Sequence, residues 1–270
     1  MADRLRSAHL GLEVEIIVVK TTGDRVIDVP LSVLGGQGVF AKEVQRAVLD
    51  GDADVAVHSA KDLPSTSPEG LALASIPERL DPADVLVGRS LAGLGPGATV
   101  ATGSPRRRAL LASIRPDLTL VELRGNMASR LAAPGVGGID AIVAAAAALQ
   151  RLDRADEIAQ RLDPETFVPQ VGQGAIALET AEEGDARSLV AAINDPVALR
   201  CVTAERSFLV SIGAGCTVPA GAWCVVEHGQ LTLRAVMDHP GRGALDRVTL
   251  HGEDPVALGA EAGVLLGAVE

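Results

Sequence analysis

The chain has 270 residues, 47% of them hydrophobic, and a formal net charge of −11. It is long enough for a sizeable core, too apolar for disorder, and too acidic to favour nucleic acid or an anionic membrane surface as a partner. One Trp, three Phe and no Tyr leave the core to Ala, Val, Leu and Ile, and remove the stacking platform that single-stranded nucleic acid needs.

In chain order, Val14 to Val19 predicts a strand, followed by a loop from Thr21 that Gly35, Gly36 and Gly38 make mobile. Phe40 to Leu49 predicts a helix with Phe40, Val44, Ala47 and Val48 on one face. Strands are expected at Asp54 to Val57, Leu71 to Ile76, Val85 to Val87 and Thr99 to Ala101, then a helix from Ser104 to about Ser113. Leu118 to Leu123 reads as a strand and Met127 to Ala132 as a short helix. Asp140 to Ala144 reads as a strand running into a helix, and Gly174 to Leu178 as a further strand. This alternation predicts an α/β arrangement with a mostly parallel sheet. After Asp195-Pro196 a long helix is expected to about Ile212. Three strands then follow, at Ala222 to Val226, Leu231 to Val236 and Asp246 to Leu250, with a last helix from Pro255. Turns at His228-Gly229 and Pro240-Gly241 make that tail a small antiparallel α+β domain.

The segment richest in chemistry is Val55-Ala56-Val57-His58-Ser59-Ala60-Lys61-Asp62-Leu63-Pro64. An apolar strand stops in His, Ser, Lys and Asp, and open α/β sheets bind ligands at the carboxyl ends of their strands. An isolated Lys-Asp pair is an ordinary solvated turn; the other motifs give this one company. In Thr102-Gly103-Ser104-Pro105-Arg106-Arg107-Arg108, Ser104 is a good N-cap and Pro105 fits the first helical position. Arginines there oppose the helix dipole, an unfavourable placement that points to an anion site. Arg124-Gly125-Asn126 repeats the pattern, with Arg130 one turn later; taken alone, Arg130 is a surface helix residue. Gly172-Gln173-Gly174 reads as a tight turn or as a close backbone approach to a ligand that Gln173 could bond. The long helix ends at glycines, with Cys216 in the loop beyond, while Cys201 and Cys224 read as packing residues. The cysteines form no CxxC pair or zinc pattern, and no metal site is expected. With no signal peptide or bilayer-spanning run, the expected compartment is the cytoplasm.

Taken in order, HSAKDLP, TGSPRRR, RGNMASR, VGQGA and AERSFL…GAGCTVPAGA closely resemble the porphobilinogen deaminase (hydroxymethylbilane synthase) family from about Leu12 onward. The resemblance implies two hinged domains like the type II periplasmic binding proteins and a C-terminal α+β domain. These would be residues 1–78 with 174–194, residues 79–173, and residues 195–270. It implies a monomer that joins four porphobilinogen molecules head to tail, releases ammonia and yields hydroxymethylbilane. The primer would be a dipyrromethane cofactor, thioether-linked to Cys216. Asp62 would be the catalytic carboxylate, placed to stabilise the cation left by ammonia loss. Lys61, Asp62, Ser104, Arg106, Arg107, Arg124 and Gly125 would hold the cofactor. Ser59, Thr102, Arg130, Gln173 and Phe40 would meet substrate, and the segment from Thr21 to Phe40 would cover the cleft.

This sequence departs from the family pattern in three places. The family's first strand has no counterpart, because residues 1–5 fall within its first helix. Lid-loop lysines are replaced by Val33 and Gln37. A Thr-Ser-Ser becomes Thr102-Gly103-Ser104. The first departure motivates a second reading, a non-catalytic two-domain binder of an anionic small molecule, which would have no need of Cys216.

Overall fold

The computed structural model describes residues 1–19, 21, 41–213, 219–239 and 245–267. Three sheets organise them. The first combines β1 (Val55–Ser59), β8 (Ile176–Ala181) and β2 (Leu71–Ser75) in the order β1-β8-β2. The second combines β3 (Asp84–Val87), β4 (Thr99–Ala101), β5 (Thr119–Val121), β6 (Ala141–Ala145) and β7 (Ile158–Arg161), in the order β5-β4-β6-β3-β7. The third is the meander β9 (Ala220–Glu227), β10 (Gln230–Asp238) and β11 (Leu245–Gly252). The helices are α1 (Ala2–Ala8), α2 (Lys42–Leu49), α3 (Pro105–Ile114), α4 (Met127–Leu131), α5 (Ala146–Arg151), α6 (Asp185–Ala191), α7 (Pro196–Ser211) and α8 (Pro255–Gly267). The architecture is α/β: two sheets with flanking helices, linked by two chain crossings, and a C-terminal α+β unit. Among the described residues no helix is long and apolar enough to cross a membrane.

Local chemistry starts the helices where expected. Ser104 Oγ accepts from the Arg107 N–H, Asn126 Oδ1 from Ser129 N–H, and Asp195 from Val197 and Ala198 N–H, with Pro105 and Pro196 at the first helical positions. The His228-Gly229 turn, both residues at positive φ, closes the antiparallel β9–β10 hairpin. The strand Ile158–Arg161 and helix Asp185–Ala191 lie outside the sequence expectations.

Strand direction departs from expectation. Among the described strands the parallel pairs are β4–β5 and β4–β6; β3 is antiparallel to β6 and β7, and β8 to β1 and β2. A parallel pair needs a crossover returning to the same sheet, whereas β3 and β8 each arrive from the other unit. The expected strand at Val14 to Val19 is likewise not in a ladder. Leu12 and Val14 pack near Leu5 and Leu178, but Ile16, Ile17 and Val18 are 71%, 52% and 83% exposed. A strand is made by a neighbour's backbone, and among the described strands none pairs with this segment.

The core is aliphatic, as the composition required, with Phe167 and Phe208 as its buried aromatics among the described residues. In the C-terminal unit α7 and α8 pack so closely that a Cβ on Gly259 would fall 2.6 Å from the Ser207 Cβ.

Two fully buried carboxylates tie the segments together. Glu205, on α7, accepts from Arg79 Nη1 at 2.6 Å and Nη2 at 3.1 Å, Gly172 N at 2.7 Å and Cys224 N at 2.9 Å. Those donors lie on the two crossing segments and on β9. Asp84, which opens β3, accepts from Arg106 Nη2 at 2.7 Å, Arg107 Nη2 at 2.7 Å and Gln173 Nε2 at 3.0 Å. Burial alone would raise the Asp84 carboxyl, but the two guanidinium groups and the Gln173 amide outweigh it and hold it down at about 2.

Glu205→Gln should destabilise the protein by about 3–5 kcal/mol in denaturant unfolding, because it strands Arg79 without a counter-charge. Asp84 is depressed relative to the unfolded chain. Its contribution should be complete above about pH 4 and lost progressively as pH falls through about 2; acid unfolding of wild type against Asp84→Asn measures it.

Candidate active site

The turn Ala60–Asp62 caps the end of β1 and is held from below by the second crossing. Ala60 N donates to Ala175 O at 3.0 Å, and Gln170 Nε2 donates to Lys61 O at 3.1 Å. Gly172 sits at φ +71°, and a Cβ there would lie 3.0 Å from the Ala60 carbonyl carbon and the Lys61 nitrogen. Only glycine allows the crossing to run this close beneath the turn.

Ser59 and Lys61 line a cavity of about 50 Å³ with Ala145, Ala147, Ala148, Arg151, Gly174 and Ala175. The cavity thus opens between the end of β1 and the β6–α5 corner of the second sheet. Lys61 Nζ has one long contact, 3.5 Å to Gln173 Oε1. Burial lowers its pKa; Asp62 opposes that, and Arg107 adds to it. Burial raises the neighbouring Asp62 above the usual carboxylate range, although Lys61 and His58 pull it down. Its carboxylate accepts no hydrogen bond from the described residues.

The second and third motifs converge on this place electrostatically. Arg130 is lowered by burial and then by Arg107, so Arg107 repels both Arg130 and Lys61. Arg130 Nε donates to Gly125 O at 2.8 Å. Arg124 is half-exposed and 3.8 Å from Glu122. Ser104 is half-buried at its cap, and Thr102 is buried with Oγ1 accepting from Ser104 N at 3.2 Å. Cations crowded around Arg107, with Lys61 also next to a carboxylate that lacks donors, suit a ligand carrying both carboxylates and N–H groups, which is the chemistry of a dipyrromethane.

Three expected ligand contacts have protein partners for their side chains. Arg106 is buried, its guanidinium on Asp84 and on Val168 O at 2.6 Å. Arg107 is mostly buried, sharing Asp84 and donating to Val143 O at 3.0 Å. Gln173 is fully buried, its amide on Pro82 O and Asp84. Asp84 is the reason: a fully buried carboxylate draws in the nearest donors. In this structure Gln173 bridges Asp84 and Lys61. Cys216, Phe40 and the lid segment beyond Thr21 lie outside the described residues.

Sequence reasoning missed Asp84, although a charge opening the fully buried strand Asp84–Val87 is a legible signal. It also missed Arg151, which enters the cavity lining while donating to Gly174 O at 2.8 Å.

Comparison with known proteins agrees with this chemistry. The family model "Porphobilinogen deaminase, dipyromethane cofactor binding domain" matches residues 1–188, and "Porphobilinogen deaminase, C-terminal domain" matches residues 199–267. The porphobilinogen deaminase of Roseiflexus castenholzii is 44% identical over 96% of this chain and 87% of its own length. That of Acidothermus cellulolyticus is 45% identical over 93% and 78%. Among solved structures, the periplasmic VFT2 domain of Bordetella pertussis BvgS has a TM-score of 0.40 and 21% identity, covering 71% of this chain and 73% of that one. The family models and the named relatives do not favour the reading as a non-catalytic binder. Both parts of the chain, the cofactor-binding region and the C-terminal unit, belong to the porphobilinogen deaminase family, the enzymes that make hydroxymethylbilane from porphobilinogen.

Proposed function

We propose that this chain runs the family reaction with Asp62 as its reacting carboxylate and Cys216 as the attachment point of the dipyrromethane. The observation that carries the reading is the half-buried Asp62 carboxylate, without a hydrogen-bond donor among the described residues, beside Lys61, with Arg107 acting on both Lys61 and Arg130.

The dipyrromethane supplies the pyrrole carbon to which the first substrate is joined. Arg124, Arg130, Lys61 and the cap at Ser104 and Gly125 offer the donors for its acetate and propionate groups. Arg107 adds its field while its side chain is steadied by Asp84. Arg106 serves the same site from behind, by keeping Asp84 neutralised. Ser59 and Thr102 border the substrate position, and Phe40 is the expected apolar contact from the lid.

Asp62 accepts pyrrole N–H groups and balances the positive charge that appears on the substrate as ammonia leaves. Burial strengthens both interactions, because the local dielectric is low. The same carboxylate can take up the proton released when the new carbon–carbon bond forms. We place the enzyme in the cytoplasm as a monomer without nucleic-acid partners. The free, buried thiols of Cys201 and Cys224 and the net charge of −11 support that reading.

Intact mass should exceed that of the bare chain by two pyrrole units in wild type and equal it in Cys216→Ser; a bare wild-type chain that makes no bilane would reject the reading. Asp62→Asn should keep the adduct and the fold while turnover falls on the order of 10²–10⁴-fold. Because Asp62 is raised, wild-type turnover should decline, as pH falls, at a pH above the ordinary carboxylate range near 4. A kcat–pH profile measures that limb.

A further inference from the structure

The C-terminal unit holds a pair of thiols that the proposed reaction does not use. On α7, Cys201, Ala204, Glu205 and Phe208 are buried and follow the i, i+3, i+4, i+7 spacing of one helix face. On β9, Ala220, Ala222 and Cys224 alternate on one face of the strand, and they share a core with Cys201, Ala204 and Phe208. Trp223, on the other face, packs against the core of the second sheet. The side chains of Cys201 and Cys224 therefore enter one α7–β9 interface from its two walls.

A backbone hydrogen bond sets the register of those walls. Cys224 N donates to Glu205 Oε1 at 2.9 Å, and Glu205 lies one helical turn beyond Cys201 on the same face. The β9 residue bonded to that carboxylate is thus the one that carries the second sulfur. Cys224 Sγ has a long contact, 3.9 Å to Val225 O. The two thiols are also side-chain hydrogen-bond partners, a contact that holds Cys201 below the ordinary thiol range and pushes Cys224 up. Both are free thiols, and their residues are only 4% and 2% exposed.

A disulfide needs two cysteines whose Cβ vectors converge at short range, and facing positions in one packed interface meet that need. We propose that Cys201 and Cys224 are a modification site, joined reversibly as a disulfide when the protein meets hydrogen peroxide. Such an oxidant is small enough to reach sulfurs this buried. The Cys201 sulfur attacks the peroxide, the O–O bond breaks, and a sulfenic acid and one water result. The Cys224 sulfur then attacks that sulfur, the S–S bond forms, and the oxygen leaves as a second water. Two S–H bonds are lost, and the two electrons they give up reduce the peroxide. A dithiol reverses the step. The bond would clamp α7 to β9 beside Glu205, and the ring it closes would contain the chain segment that carries Cys216. This inference does not depend on the roles assigned to Asp62 or Cys216.

The test treats the wild-type holoenzyme with stoichiometric hydrogen peroxide, blocks remaining thiols by alkylation and digests without reductant. A peptide joining Cys201 to Cys224 should appear, lighter by two hydrogens than its separate halves, and dithiothreitol should restore both thiols. Treated wild type should unfold at a temperature higher by on the order of 5 °C, because the cross-link restricts the unfolded chain. Cys224→Ala keeps the backbone N–H that Glu205 accepts and should show no such rise. Recovery of both cysteines as free thiols, or as separate sulfinic acids, overturns the proposal. A link from either one to Cys216 instead, or an equal thermal rise in Cys224→Ala, overturns it as well.

Discussion

Glu205 is shut away from water, and an isolated carboxylate in that position is unfavourable by several kcal/mol. The bidentate bond from Arg79 and the N–H groups of Gly172 and Cys224 remove the penalty together. None of those donors is local to α7. Arg79 comes from the first crossing, Gly172 from the second, and Cys224 from the C-terminal meander. The carboxylate is satisfied only when all three parts of the chain are assembled. That condition puts Gly172 against the Lys61–Asp62 turn, and so sets where the candidate site stands.

Asp84 applies the same logic on the other side of the cavity. It gathers Arg106, Arg107 and Gln173, and Gln173 in turn reaches Lys61. A continuous polar chain therefore runs from the second sheet to the turn that carries Asp62. Residues expected to meet the ligand also support the fold. Their positive field still reaches the cavity, because guanidinium groups keep their charge at any working pH. Their hydrogen-bonding capacity is largely committed to the protein.

The opposing demands on Asp62 illustrate how such a site is tuned. Burial favours its neutral form, while Lys61 and His58 favour the anion. Lys61 experiences the reverse, with burial and Arg107 set against Asp62 and Asp84. A polyanionic ligand would relieve the cations, and pyrrole N–H groups would relieve the carboxylate. The arrangement is thus complementary in charge and in hydrogen bonding to the molecule expected there.

The sequence by itself determined the local features: helix starts at Ser104, Asn126 and Asp195, the hairpin turn at His228-Gly229, the aliphatic core, and the end of β1 in Lys61 and Asp62. Each depends on side chains within a few residues of the backbone they govern, so a linear reading can find them. Tertiary structure alone decided that β3 and β8 run antiparallel to their neighbours, that Val14 to Val19 has no ladder among the described strands, and that Asp84 captures two arginines and Gln173. It also decided that Glu205 ties the units. Those outcomes rest on contacts between residues tens to more than a hundred positions apart. A buried charge takes whatever partner the fold brings within about 3 Å, and no local pattern specifies that partner.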